Sequence, residues 1–153
     1  MNNDLIVSTE HGPHGGDEIN LNLNTKKVKN FGWPISSYGE HYGGKESEEN
    51  RLKYKKYPLH KSHVDYGFIE PIKYFVPSIG ISQIIKVNNG NFIVSSLKDK
   101  SIYTFLLNDK NNIENLNRIE IGERIRDMVY LKKTKQVLLF LEDTASIGIF
   151  SLE

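Results

Sequence analysis

The chain contains no cysteine. That removes disulfides, thiolate metal sites and cysteine nucleophiles together, although it selects no cellular compartment. An excess of charge of one sign is also missing: 20 Lys+Arg stand against 19 Asp+Glu, a formal net charge of +1. Nucleic-acid binders carry a marked basic excess, so that class is set aside. No apolar run approaches the ~20 residues of a membrane-spanning helix. Met1-Asn-Asn-Asp and the short run Leu5–Ser8 lack the basic segment, apolar stretch and small-residue cleavage site of a signal peptide. The chain reads as starting inside a strand, and the expectation is a truncated or split polypeptide.

What is present suits a folded domain. The 153 residues are 38% hydrophobic and 25% charged, which is too apolar and too balanced for a disordered chain. That length sets a prior of one domain able to bury roughly 70% of its unfolded surface.

Texture changes along the chain. Residues 1–66 are loop-rich, with turn clusters at His11-Gly-Pro-His-Gly-Gly16 and Asn30-Phe-Gly-Trp-Pro34. Lys45–Lys53 reads as a short surface helix, solvated because it has no apolar stripe at helical spacing. After Gly67 come short β-rich runs: Phe68–Phe75, Ile81–Val87, Phe92–Leu97, Ser101–Leu107, Ile113–Ile121, Ile125–Leu131, Gln136–Leu141 and Ile147–Leu152. Polar turns such as Asn88–Asn91 and Asn108–Asn112 separate them. Repeated strand runs with tight turns indicate an all-β sandwich, barrel or propeller. The grouping favours a propeller. Residues 81–121 make one four-stranded antiparallel blade, and 125–152 supply three strands of another.

Few residues announce chemistry. His11/His14 and His60/His63 are spaced i, i+3, but they fall in Gly/Pro loops and read as unrelated loop pairs rather than a zinc site. Phosphate-loop, dinucleotide-binding, zinc-protease and nucleophile-elbow motifs are absent. Arg124-Ile-Arg126 opens a strand run, which puts both guanidiniums on one face. Two readings stand: an anion held between the cations, or a solvated pair partnered by Glu123 and Asp127. Lys98, in the Leu97-Lys-Asp-Lys100 turn, reads by itself as solvated. Asp17-Glu18 is either an ordinary acidic pair in a loop or a calcium ligand pair. In Glu10-His-Gly-Pro13, Gly and Pro leave backbone carbonyls free to face a ligand.

Taken together, Glu10-His-Gly-Pro-His-Gly-Gly-Asp-Glu-Ile-Asn20, Asn30-Phe-Gly-Trp-Pro34, Tyr38-Gly-Glu-His-Tyr42, Pro77-Ser78, Ser96-Leu-Lys-Asp-Lys-Ser101 and Gly122-Glu-Arg-Ile-Arg-Asp127 resemble the pyrroloquinoline-quinone-dependent soluble aldose sugar dehydrogenases of the glucose/sorbosone dehydrogenase family. Order and spacing match the C-terminal part of that family from about Glu10 onward. The resemblance implies about two and a half blades of a six-bladed β-propeller: a loop-rich cofactor and calcium segment over 1–66, a blade with its lead-in over 67–121, and a partial blade over 122–153. It also implies pyrroloquinoline quinone contacts at His11, Tyr42, Ser78, Lys98, Arg124 and Arg126. The carbonyls of Gly12 and Pro13 fall where the cofactor's calcium is bound. Glu18 and the carbonyl of Phe31 fall at a second, structural calcium. At that second site Phe31 stands where the family usually has Tyr, and Thr25–Lys29 holds a few extra residues. A planar tricarboxylate suits one Lys and two Arg, and calcium suits backbone oxygens.

The implied reaction oxidises the anomeric hydroxyl of an aldose, with a His removing the proton as a hydride passes to the quinone. That His lies in an N-terminal blade of the family, and His14, His41, His60 and His63 do not match its position. The expected partners are therefore an aldose and the N-terminal propeller portion, with the periplasm as the implied location. The rival reading is a non-catalytic, propeller-derived binding module with exposed blade edges.

Overall fold

The computed structural model describes residues 5–88 and 90–152. Met1–Asp4, Glu153 and Asn89, part of the turn expected over Asn88–Asn91, lie outside the described residues. The chain divides into two compact units, Met1–Ser78 and Ile79–Glu153.

In the first unit, β1 (Ile6–Glu10), β2 (Asp17–Asn22) and β3 (Lys73–Phe75) form an antiparallel sheet in the order β1-β2-β3. Glu10 stands opposite Glu18, so the hairpin connection is His11–Gly16. β2 is the central strand and is buried over Asp17–Leu21. The expectation of Asp17 and Glu18 in a loop is thus corrected: both lie in a strand, with 0% and 4% exposure.

The run Phe68–Phe75 is corrected as well, since only Lys73–Phe75 is strand. Pro71 has no N–H to donate to a ladder. The preceding N–H groups are used elsewhere: Ile69 bonds to the Asn30 carbonyl at 3.1 Å and Phe68 to the His63 carbonyl at 3.0 Å. The surface helix appears as α1 (Glu48–Lys56), three residues later than its sequence reading began. Ser47 caps it by accepting from the Asn50 N–H, which leaves Lys45 and Glu46 outside the helix. Glu48 and Glu49 sit in its first turn and Lys53, Lys55 and Lys56 in its last, matching the helix dipole. No residue of α1 is buried, in agreement with the missing apolar stripe.

In the second unit, β4 (Ile81–Lys86), β5 (Asn91–Ser96), β6 (Ser101–Leu107) and β7 (Ile113–Glu120) form a four-stranded antiparallel meander. β8 (Ile125–Leu131), β9 (Gln136–Leu141) and β10 (Ser146–Ser151) form a three-stranded one. The two sheets share a core of Val87, Ile93, Ile102, Ile125, Met128, Val137 and Leu139. A bulge sits between Ile125 and Asp127, where β8 meets β9. Strict alternation from Ile125 would bury Asp127 and expose Met128. The extra residue reverses the phase, so Met128 is buried and Asp127 exposed.

Candidate functional site

The His11–Gly16 connection is held from below by Asp17. Its buried carboxylate accepts from the Gly12 N–H at 2.9 Å and from the Ser78 hydroxyl at 2.7 Å, and lies 3.9 Å from His11 Nδ1. His14 and Glu40 exchange backbone hydrogen bonds of 2.8 and 3.0 Å, tying the connection to the Tyr38–His41 segment. Gly16 donates to the Phe75 carbonyl at 2.8 Å. Asp17 therefore organises the motif, a role that its sequence reading missed. The signal was an acid placed directly after Gly15-Gly16 and five residues after Gly12.

Above this loop lies a cleft of about 660 Å³, with His11, Gly12, Pro13, Trp33, Tyr42 and Tyr57 among its walls. Three of those walls are aromatic rings, and Tyr42 stacks on His14 at 5.8 Å. His41 closes one side, its Nε2 in a 2.7 Å hydrogen bond to the Tyr57 carbonyl. Glu40 fixes the neighbouring backbone by accepting from Tyr54 at 2.6 Å and pairing with Lys61 at 2.9 Å. The Tyr54 hydroxyl, followed by Lys61, holds the Glu40 carboxyl below its usual range. Among the described residues neither the Gly12 nor the Pro13 carbonyl accepts a hydrogen bond. Free carbonyls beside flat aromatic walls fit a calcium-bound planar ligand.

Ser78 faces Asp17, so its hydroxyl proton is engaged inside the protein. In the second unit, Arg124 Nε and Arg126 both bond Glu142 Oε2, at 3.1 and 2.6 Å. The reading that paired the arginines with Glu123 and Asp127 is corrected: Glu123 instead accepts from Thr144, and Asp127 from the Met128 N–H. The β8 bulge turns Arg126 toward the end of β9, where Glu142 follows Leu141. Hydrogen bonds from Arg126, then Arg124, hold Glu142 below the usual carboxylate range. Lys98 is exposed and has no side-chain partner among the described residues. Its neighbour Asp99 does structural work, accepting from Tyr103 at 2.6 Å and Arg118 at 2.7 Å.

A second group of acids lies under the sheet of the first unit. Burial pushes the Glu18 carboxyl up to about 7, partly opposed by the Asn20 amide, with Glu10, Glu70 and Asp17 adding repulsion. Burial also raises Glu10. Glu70 stays low: burial pushes it up, but bonds from Tyr38, His63 N–H and Val64 N–H outweigh that. His63 Nε2 faces Glu18 Oε1 at 3.2 Å.

A pH dependence follows for Glu18. Below about 4.5 it is protonated in both folded and unfolded chains. Between about 4.5 and about 7 the folded protein retains a proton that the unfolded chain has released, so this group's contribution to stability falls as pH rises. Glu18→Gln is expected to flatten that part of the stability profile, and melting temperatures between pH 5 and 8 check it. An unchanged slope would mean that Glu18 is not held protonated.

The all-β meanders, with a ligand-ready loop at one strand end, define a partial β-propeller. The family model described as Glucose / Sorbosone dehydrogenase matches residues 1–149, and the chain belongs to that family. It is 32% identical over 127 residues to the aldose sugar dehydrogenase YliI of Escherichia coli K12, covering 78% of this chain and 31% of that protein. It is 29% identical to an uncharacterized protein of Synechocystis, covering 80% of this chain and 28% of that one. The chain thus spans about a third of the length of these relatives. Among solved structures, a glucose dehydrogenase superposes with a TM-score of 0.73 at 24% identity, over 95% of this chain and 40% of that one. The soluble aldose sugar dehydrogenase of Escherichia coli in its apo-form gives 0.71 at 25% identity, over 94% and 40%. No helix among the described residues is long and apolar enough to cross a membrane.

Proposed function

We propose that this chain is the C-terminal part of a periplasmic quinoprotein aldose dehydrogenase and supplies one wall of its cofactor site. The supporting observation is the cleft of the first unit, lined by Gly12 and Pro13, whose carbonyls accept no hydrogen bond among the described residues, and by Trp33, Tyr42 and Tyr57. On this reading those carbonyls hold the cofactor's calcium, and His11 and Tyr42 contact the quinone. Asp17 keeps the carbonyls in place through the Gly12 N–H. Ser78 is oriented by its bond to Asp17. When bound, pyrroloquinoline quinone accepts the two electrons removed from the sugar. The protein's share is orientation and electrostatics.

The family resemblance assigns the cationic contacts to the cofactor's carboxylates to Lys98, Arg124 and Arg126, all in the second unit. Two guanidiniums against the single Glu142 carboxylate leave one net positive charge for an incoming anion. Calorimetric titration with pyrroloquinoline quinone tests the reading: binding should require calcium and weaken with added salt. Glu142→Gln should tighten it several-fold by releasing both arginines, and the Arg124→Ala, Arg126→Ala double variant should loosen it. Calcium-independent binding would refute the carbonyl site. Indifference to all three substitutions would place the arginine pair outside the cofactor contacts. No quinone binding, with or without calcium, would favour a non-catalytic binding module.

A further inference from the structure

The Glu18 carboxylate and the Phe31 carbonyl, which the family resemblance assigns to one structural calcium, do not fit a shared ion here. The imidazole of His63 lies between them. Its Nδ1 donates to the Phe31 carbonyl at 2.6 Å, and its Nε2 stands 3.2 Å from Glu18 Oε1, off the axis of a strong hydrogen bond. Oxygens that share a calcium each lie 2.3–2.6 Å from it, so two of them are at most about 5 Å apart. Each of these two oxygens faces a different nitrogen of the ring, so an ion lying between them would have to stand where the imidazole stands.

The ring is also locked in place. His63 is 0% exposed. Tyr38 stacks on it at 5.5 Å and 24°. Gly32 passes so close that a Cβ there would sit 3.1 Å from Nδ1. The His63 N–H is held by Glu70 at 3.1 Å, and its carbonyl accepts from Tyr66 and Phe68 at 3.1 and 3.0 Å. Swinging the ring aside to admit an ion would break this packing.

We propose that His63 takes the place of the second calcium in this chain, its ring standing between the Phe31 carbonyl and the Glu18 carboxyl at a position that binds no metal. The ring fills locally the place an ion would take. It satisfies a backbone carbonyl from the Asn30–Pro34 turn by a hydrogen bond and sets Nε2 3.2 Å from a buried acid of β2. The proposal stands independently of what the cleft at Gly12 and Pro13 takes.

Terbium, which scatters anomalously and replaces calcium, tests it in crystals of the full chain. No anomalous peak is expected beside Glu18, and the ring should stay on the Phe31 carbonyl. A peak within about 3 Å of both oxygens, with the imidazole displaced, would overturn the proposal. Melting temperatures in calcium and in chelator give a second readout that cancels any ion at the cleft. The calcium-dependent shift should be the same in the native chain and in Glu18→Gln. A shift that Glu18→Gln abolishes would show that Glu18 is a ligand.

Discussion

Purified by itself and supplied with pyrroloquinoline quinone and calcium, this chain should oxidise aldoses at least about 10²–10⁴-fold more slowly than a full-length relative. That range is what a positioned general base typically contributes. The family resemblance places the base in an N-terminal blade, and the histidines present are committed to other work. His41 is bonded to the Tyr57 carbonyl and buried. His63 is bonded to the Phe31 carbonyl and buried. His60 stacks on Tyr66 at 3.6 Å and His14 on Tyr42 at 5.8 Å. His11 stands 58% exposed beside Asp17, at the position the resemblance gives to cofactor contact. The chain spans 31% of its Escherichia coli relative, and on the proposed reading the wall that encloses a sugar and excludes water is built mostly by the remainder. Dye-linked oxidation of glucose and other aldoses is the assay. Adding the N-terminal portion of a relative should raise the rate, and turnover near that of a full-length relative without it would show that this chain carries its own base.

The strands of the second unit were legible because each is short, apolar on one face and closed by a polar turn. Asn108–Asn112 is an example: Asn108 Oδ1 accepts the N–H groups of Lys110 and Asn112, both at 2.9 Å. The strand Asp17–Asn22 was not legible. Its polar residues alternate with Ile19 and Leu21 in the manner of a half-solvated strand, yet both faces are buried. The polar side is held by partners outside the strand that no local pattern reveals: Gly12 and Ser78 bond Asp17, and His63 Nε2 stands 3.2 Å from Glu18.

The arginine pair shows the same limit. Spacing placed both guanidiniums together, but their counter-ion comes from Glu142, which a bulge in β8 brings within reach. Motif spacing found the loop that faces the cleft. The acid that holds the loop and the imidazole that replaces an ion were missed because both depend on contacts distant in sequence.

Gly16→Ala should be among the most damaging small substitutions in the first unit. The Gly16 backbone touches the Tyr38–Gly39 backbone, and a Cβ there would lie 2.2 Å from Gly39 N and 2.8 Å from the Tyr38 carbonyl carbon. Those neighbours are main chain, held by the His14–Glu40 bridge, and cannot turn aside as a side chain could. Overpacking of this kind costs about 1–3 kcal/mol or more. The left-handed φ of +72° adds strain of about 1–2 kcal/mol for a residue with a Cβ. Gly44→Ala separates the two costs, because Gly44 has a similar φ of +66° and nothing within 4 Å of its Cβ position. At about 4–8 °C per kcal/mol for a unit of this size, Gly16→Ala should melt at least several degrees below Gly44→Ala. The damage should also reach the ligand, since relieving the clash moves the loop that presents the Gly12 and Pro13 carbonyls. Calcium-dependent quinone binding should fall in Gly16→Ala and persist in Gly44→Ala. Equal melting temperatures in the two variants would mean that the crossing of the two backbones is looser than the structure places it, and that Asp17 alone holds the loop.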